Sequence, residues 1–445
     1  TGDDDDDLFD LDSTGLVRVR TLTGEDEFEA AGWSVAIGDL TGEGIADLVV
    51  GAPRHEASGQ TDAGRFYWLR GEAGGLSQAS QLSMANLVVD GDHADQWLGT
   101  AMSIPGDIDN DGIDDLCVIC LGDGELWIFA GSQGFSELTG PTARLTGLAL
   151  DDEIGSYLDA SDVVGPAGDL DGDGSMELLV GEPAAGRVWL LPGRFYSGEE
   201  VLAAEARASF EGVEFGYAVL GGLDVGGGSG TDIVIGGAPM YDVAIFLDDL
   251  WGVGIPQGTF TAESTLLDAP DVDFGRSLTA LGDLTGDGLD DFAVGAHGDP
   301  PDHQRAYIYA GRASWAGDDW DSHLATFDGP TEGWVGKVVL GSIDMDADGS
   351  PELALGDPHA GSGATLGGAF YLVEADDVDW DSSPALDHQH PAVHSDTGTV
   401  PDDLLGWSLA AGDLDGDGAD ELVVGAPATY AGDPGAVRIY SLGSW

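Results

Sequence analysis

Apolar and polar residues alternate along this chain in short bursts, never in long amphipathic stripes. Runs such as Arg65-Phe-Tyr-Trp-Leu-Arg70, Glu125-Leu-Trp-Ile-Phe129 and Arg187-Val-Trp-Leu-Leu191 are rich in β-branched and aromatic residues, as strands are. Similar runs recur at Val243–Phe246, Ala306–Tyr309, Ala369–Val373 and Ala436–Tyr440. No long segment carries an apolar period of ~3.6 residues, so very little helix is expected. Each run is the third strand of a repeating order: an apolar strand, an acidic loop, and a second strand ending near Gly-x-Pro come before it. Seven copies can be laid down, with loops opening at Asp39, Asp107, Asp169, Gly222, Asp283, Asp344 and Asp413. Their spacings of 68, 62, 53, 61, 61 and 69 residues are too long for a solenoid turn. They suit a four-stranded blade with generous loops.

The chain ends tie this pattern into a ring. Val17–Leu22 precedes the first copy and matches the fourth-strand segments Ala143–Thr146 and Ala325–Phe327. The last copy stops five residues after Tyr440 without a fourth strand of its own. If Val17–Leu22 completes the last blade, no open sheet edge is left there to invite aggregation. The expected fold is therefore all-β: a seven-bladed β-propeller of four-stranded antiparallel blades, closed by the N-terminal strand. Residues 17–445 form one domain in this reading, and residues 1–16, with the acidic run Asp3–Asp7, form a solvated tail.

Charge narrows the function. The formal net charge is -69, from 83 acidic residues against 14 basic ones, and Lys337 is the sole lysine. No basic patch can be assembled from that, which excludes nucleic acid and anionic membrane as partners. Hydrophobic content of 42% supplies a core, so the acidity does not imply disorder. Cys117 and Cys120 lie three apart on one apolar run; on a strand they face opposite sides and read as small core residues. No run of 18 apolar residues exists, so no membrane insertion is expected. Starting at Thr1 without a leader, the chain has the look of a processed or trimmed N-terminus.

The acidic loops carry the candidate chemistry. In Gly406–Pro427, Asp413, Asp415 and Asp417 stand at positions 1, 3 and 5 of a tight loop, Gly418 at position 6 and Glu421 at position 9. Alternate carboxylates around a sharp glycine turn make an oxygen cage for a hard cation such as Ca²⁺. Asp107/Asp109/Asp111/Asp115, Asp169/Asp171/Asp173/Glu177 and Asp344/Asp346/Asp348/Glu352 repeat the full set. The carbonyl at position 7 (Ile113, Ser175, Ser350 or Ala419) should complete each shell. Without a cation, four convergent carboxylates would repel one another. Asp283/Asp287/Asp291 has Thr285 at position 3 and Leu289 at position 7, and Asp39/Glu43/Asp47 has Thr41 at position 3. About five or six Ca²⁺ ions are expected in all. In the fourth copy Gly222, Asp224 and Gly226 leave too few oxygens, and that loop is expected to be empty. An EF-hand would need a bidentate Glu at position 12 and flanking helices. Position 12 is Val118, Val180, Val294, Leu355 or Val424, so that reading fails.

The Gly-Ala-Pro triplets at 51–53, 237–239 and 425–427, the Phe-Gly pairs at 215–216 and 274–275, and the Asp-x-Asp-x-Asp-Gly loops resemble the FG-GAP repeats of integrin alpha subunits. The resemblance covers residues 17 to 442. Some copies drift: Leu98 and Leu405 stand where Phe precedes the glycine, and Trp33 marks the first copy. The resemblance implies a secreted or cell-surface, calcium-binding module without catalytic activity. It also places a protein or glycan ligand on the face opposite the calcium loops. The alternative is a carbohydrate-active propeller, a polysaccharide lyase or lectin-like glycan binder, because fold alone does not fix function. A monomer is expected. The histidines His388, His390 and His394 read as part of a solvated loop, and Trp315 and Trp320 as plugs between blades.

Overall fold

Seven small sheets follow one another along the chain. The computed structural model describes residues 9–10, 15–76, 80–150, 163–212, 215–228, 230–237, 242–248, 257–261, 266–268, 273–298, 304–313, 315, 320–330, 333–361, 366–380, 384–398, 401–428 and 432–442. The acidic run Asp3–Asp7, the side chain of Trp320 and the loop acids Asp151–Glu153 and Asp271 lie outside the described residues. In each sheet the first three strands form an antiparallel meander, and the fourth pairs with the third. Blade one uses Val35–Gly38, Asp47–Ala52, Arg65–Leu69 and Leu87–Asp90; blade two opens with Leu98–Gly106 and Asp115–Cys120. The first strands of blades three to seven are Val164–Gly168, Phe215–Leu223, Phe274–Gly282, Val338–Ile343 and Leu409–Gly412. Each first strand touches the first strand of the next blade, so these strands ring the axis. The molecule is an all-β seven-bladed propeller, and among the described residues its one α-helix is the single turn Leu202–Glu205.

The ring closes as the chain ends suggested. Leu16–Thr23 pairs antiparallel with Ala436–Leu442, from Leu16 opposite Leu442 to Thr23 opposite Ala436. Two features differ from expectation. Phe9–Asp10 forms a short antiparallel pair with Val17 and Arg18, so part of the expected tail is a strand. Several blades also carry a fifth strand, added in parallel at the outer edge. Gly198–Val201 joins blade two, Gly258–Thr261 blade three and Ala385–Asp387 blade five. Each comes from the connection between strands three and four of the next blade, and each covers backbone groups that an edge would expose.

The core is divided into layers between blades. One layer joins Leu22, Val437 and Ile439 of blade seven to Val50, Tyr67 and Leu69 of blade one. Another joins Leu16, Leu422 and Tyr440 of blade seven to Phe370 and Leu372 of blade six. The closing strand thus feeds two layers, with Leu16 and Leu22 fully buried.

The recurring glycines have a packing reason. A Cβ on Gly51, Gly181, Gly236, Gly295, Gly356 or Gly425, all in second strands, would fall within 3.0 Å of the carbonyl oxygen of Gly99, Gly216, Gly275, Gly336, Gly406 or Gly32 of the following blade. The serine two residues after the first-strand glycine reinforces this contact. Ser34 Oγ donates to Gly99 O at 2.8 Å, Ser277 Oγ to Gly336 O at 3.0 Å and Ser408 Oγ to Gly32 O at 2.9 Å.

Gly295→Val should therefore destabilise the protein by about 3 kcal/mol or more through forced backbone movement. Gly134→Ala, with nothing within 4 Å of the added Cβ, should stay within about 0.5 kcal/mol of the parent. Urea unfolding of both variants checks this; equal midpoints would remove the packing argument. Deleting residues 1–24 should leave an aggregating or strongly destabilised protein, whereas deleting residues 1–9 should be nearly neutral. Size-exclusion chromatography and thermal melts decide, and a well-folded monomer beginning at residue 25 would defeat the closure argument.

Candidate functional site: the acidic loops

All the acidic loops join a first strand to a second, so they emerge on one face of the disc. Their shape is set by the acid at position 1. Asp413 Oδ1 accepts the N–H of Gly416 at 2.6 Å and of Asp417 at 3.1 Å, while Oδ2 accepts that of Gly418 at 3.0 Å. Asp169 does the same with Gly172, Asp173 and Gly174. Asp107, Asp283 and Asp344 each hold the N–H groups of positions 5 and 6. Such local side-chain to backbone bonds are the reason Asp opens a turn. Position 5 continues the chain of bonds. Asp111, Asp173, Asp287, Asp348 and Asp417 accept the N–H of Ile113, Ser175, Leu289, Ser350 and Ala419 at 2.7–3.0 Å.

Position 9 is a staple within the blade. Glu177 Oε2 accepts Leu170 N–H at 2.7 Å, and its Oε1 accepts Gly193 N–H, just past the third strand, at 3.0 Å. Asp47, Asp115 and Asp291 bridge loop and third-strand end in the same way. Glu352 and Glu421 each hold the loop N–H of position 2. These carboxyls are buried, and burial disfavours their charged form. It pushes Asp47 and Asp115 up to about 7, Asp291 to about 6, and Glu352 and Glu421 to about 8. The other acids of each loop add repulsion in the same direction.

Four loops bring carboxylates together. Potential ligand oxygens lie within 4.8 Å of one another in Asp107/Asp109/Asp115, Asp169/Asp171/Glu177, Asp344/Asp346/Asp348 and Asp413/Asp415/Glu421. These are the four loops with a complete acid set. The loops with threonine at position 3 form no such cluster among the described residues. In the first of them Glu43 turns outward to pair with Arg70, leaving Asp39 and Asp47 with their backbone duties; Thr41 is buried and Asp39 sits at the turn.

Blade four corrects the sequence reading. Gly222 lies inside the strand Phe215–Leu223, so it does not open the loop. Val225 N–H donates to Asp232 Oδ2 at 2.9 Å, which makes Asp224 position 1 and Asp232 position 9. The loop is therefore as long as the others, with Gly226 and Gly228 at positions 3 and 5 and Ser229 at position 6. A Cβ on Gly228 would collide with the Asp248 carboxylate, which accepts Gly230 N–H at 2.6 Å.

Acids at position 8, absent from the expected set, tie neighbouring loops together. Asp39 N–H donates to Asp114 Oδ2 at 3.1 Å and Asp114 N–H returns to Asp39 O at 3.3 Å. Asp224 with Asp290, and Asp344 with Asp420, repeat the exchange. Their signal in the sequence was the Asp-Asp or Asp-Glu doublet at positions 8 and 9. The histidine group is not wholly a solvated loop: His388 is exposed, but His394 is buried in the strand Val393–Thr397. Trp315 is buried and donates from Nε1 to Val225 O at 3.0 Å, a plug between blades four and five.

Paired glycines, serine clasps and Asp-rich turns define a β-propeller of FG-GAP repeats. The FG-GAP repeat model matches residues 31–67, 274–309 and 405–442, and an FG-GAP-like repeat model matches residues 107–180. The propeller is of the integrin alpha type. Integrin alpha-PS2 of Drosophila melanogaster is 34% identical over 220 residues, covering 45% of this chain and 15% of that protein. Integrin alpha-PS5 of the same species is 30% identical over 198 residues, covering 41% and 18%. Integrin alpha-7 of Rattus norvegicus is 30% identical over 171 residues, covering 38% and 14%. The matches thus span less than a fifth of each relative. A solved structure, BBS1N in complex with ARL6DN, aligns over 95% of this chain and 98% of its own at 15% identity with a TM-score of 0.48.

The staple acid of blade four allows a direct pH test. Burial pushes the Asp232 carboxyl up to about 6. The folded state then binds the proton more tightly than the unfolded chain, where the pKa is about 3.9. The stability it contributes is complete below about pH 4 and is lost as pH rises through about 6. Carboxyl-carbon NMR should find its midpoint near 6; a midpoint at the ordinary Asp value would contradict its burial.

Proposed function

We propose that this propeller is a secreted, calcium-stabilised, non-catalytic interaction or adhesion module, with its ligand on the face away from the acidic loops. The observation that carries this reading is the convergence of carboxylates in the four complete loops, together with the integrin alpha type of the repeats. The oxygen-only donor sets suit Ca²⁺. Asp107, Asp109, Asp111 and Asp115, with their counterparts at 169–177, 344–352 and 413–421, would hold the ions, and a bound ion would offset the repulsion among them. The Asp283 loop is a further candidate. The Asp39 loop is a weaker one, because Glu43 is engaged by Arg70.

Support for the ligand face comes from the connections. The links between second and third strands, such as the one from Ala52 to Arg65, emerge opposite the acidic loops and vary in length from copy to copy. Variable loops on a rigid scaffold are where recognition usually resides. A glycan ligand is the second reading, favoured by a groove of about 680 Å³ on that face. Trp97, Leu121 and Leu148 give it an apolar wall, and Asp95 and Asp123 give it acceptors, the mixture a sugar requires.

Removing calcium should lower the melting temperature by many degrees. Extracellular-type sites bind at roughly 10⁻⁴ to 10⁻³ M, and each site held at 100 times its dissociation constant adds ~2.7 kcal/mol. Calorimetry with and without EGTA checks this, and an unmoved transition would mean that the loops hold no structural ion. For the ligand face, binding of a partner from a glycan and matrix-protein screen is compared in two variants. One replaces 54–61 and 297–303 with short Gly-Ser linkers; the other changes Asp171 and Asp173 to Asn. The first should lose the partner and the second keep it; the opposite outcome would reverse the faces.

A further inference from the structure

On the face away from the acidic loops, one group of side chains joins an imidazole to two carboxylates. Asp26, Glu29 and His55 each bring a ligand atom to within 4.8 Å of the others. Asp26 and Glu29 lie in the connection from the closing strand to the first strand of blade one. His55 lies in the link between the second and third strands of that blade. Glu29 and His55 are buried, at 1% and 3% exposure, while the Asp26 side chain is 64% exposed. The group therefore has a buried floor and one exposed wall.

A single imidazole nitrogen faces both acids. His55 Nδ1 is 2.7 Å from Glu29 Oε2 and 3.7 Å from Asp26 Oδ2. A ring nitrogen carries at most one proton, and 3.7 Å is too long for a hydrogen bond to the second acid. Donors held at about 2.1 Å around a tetrahedral ion stand roughly 3.4 Å apart, so these atoms are near the spacing that a metal imposes. Glu29 is also held from behind. Its Oε1 accepts the Glu25 N–H at 2.6 Å, and its Oε2 accepts the Tyr67 hydroxyl at 3.1 Å. Hydrogen bonds of that kind orient the carboxylate ligands of metal sites. The neighbouring arginines have other partners: Arg65 pairs with Asp90 at 2.6 Å and Glu25 at 3.4 Å, and Arg54 stands over the Trp33 ring at 5.5 Å.

Blade two fills the same three places with different chemistry. Counted back from Gly99 and Gly32, His93 and Gln96 match Asp26 and Glu29; counted on from the second strand, Asp123 matches His55. There Gln96 Nε2 donates to Asp123 Oδ2 at 2.9 Å, and His93 Nε2 is 3.0 Å from the same oxygen. Gln96 Oε1 accepts the Asp92 N–H at 2.6 Å, as Glu29 does with Glu25. The amide thus gives the acid its proton, and the set closes on itself. In blade one a carboxylate stands in place of the amide, so that donor is gone and a second acid converges on the ring. Two carboxylates converging on one nitrogen repel each other unless a cation lies among them.

We propose that Asp26, Glu29 and His55 form a site for a divalent transition ion of the zinc type, separate from the acidic loops. An imidazole with two carboxylates suits Zn²⁺, whereas Ca²⁺ takes about 6–8 oxygen ligands. Three protein ligands leave one position of a tetrahedral ion for water. The ion clips two connections together at the seam of the ring, where Gly24 N–H donates to Gly435 O at 2.9 Å and Ala31 N–H to Pro434 O at 3.0 Å. Calcium in the acidic loops is not required for it.

The test titrates the full chain, saturated with Ca²⁺, with Zn²⁺ in a calorimeter. One Zn²⁺ per chain should bind, and the NMR signals of the His55 ring should shift with it. His55→Gln should abolish that equivalent. Tyr67→Phe should weaken it by about 10–100-fold, the usual cost of an outer hydrogen bond to a ligand, and Asp26→Ala by at least as much. His93→Gln, at the matching place in blade two, should bind as the parent does. Should His55→Gln not fold, Asp26→Ala at its exposed position decides. No Zn²⁺ taken up by the calcium-saturated chain would leave a hydrogen-bonded staple only and overturn the site. Unchanged binding in folded His55→Gln or Asp26→Ala would put the ion elsewhere and overturn it equally. The calcium dependence of the melt is read separately and is untouched by either outcome.

Discussion

Backbone-to-backbone contact between neighbouring blades is the constraint on which the rest of this propeller depends. A glycine in the second strand lies flat against the carbonyl of a first-strand glycine in the next blade, and no side chain fits between them. The glycines at or just before the start of the first strands have φ of +85° to +102° at Gly32, Gly99, Gly216, Gly275, Gly336 and Gly406, a region closed to most residues. Spacing between the sheets is thereby fixed near the axis by main chain alone, and the aromatic layers farther out fill the wedge that opens. Blade two is the exception, with Ile119 in the place of the second-strand glycine.

Much of this could be read from the sequence because local chemistry and global fold agree. The third strands Glu125–Phe129 and Arg187–Leu191 appear with their expected limits, since each is a compact apolar run between turn residues. The four complete acidic loops were equally plain. What escaped depends on relations between copies. The frame of the blade-four loop was misplaced by two residues, because the staple at Asp232 becomes evident only once its bonds to Val225 and Asp248 are seen. Asp114, Asp290 and Asp420 are absent from the expected set, because their partners are peptide groups of another blade. The parallel fifth strands, short and polar as at Gly198–Val201, carry no period of their own.

The two faces divide the labour. On one, every loop is braced by its own aspartate and several are braced by the following blade, giving a rigid belt of negative charge. On the other, irregular connections stand over a core of indoles, imidazoles and the lone ammonium. Lys337 Nζ lies 4.0 Å from the centre of the Trp407 ring and donates to Trp407 O at 3.1 Å.

The pairing of Leu16 with Leu442 and of Thr23 with Ala436 has a mechanical consequence. The chain enters the last blade beside the point where it leaves, at the same end of two antiparallel strands. Tension applied between Leu16 and Leu442 would therefore peel that ribbon open one residue pair at a time, rather than shear all its hydrogen bonds together. Rupture would begin at the outer edge of blade seven and release the two layers that Leu16 and Leu22 fill, turning a closed ring into an open arc at low force. A pull delivered through the disc faces would instead load all the blades at once.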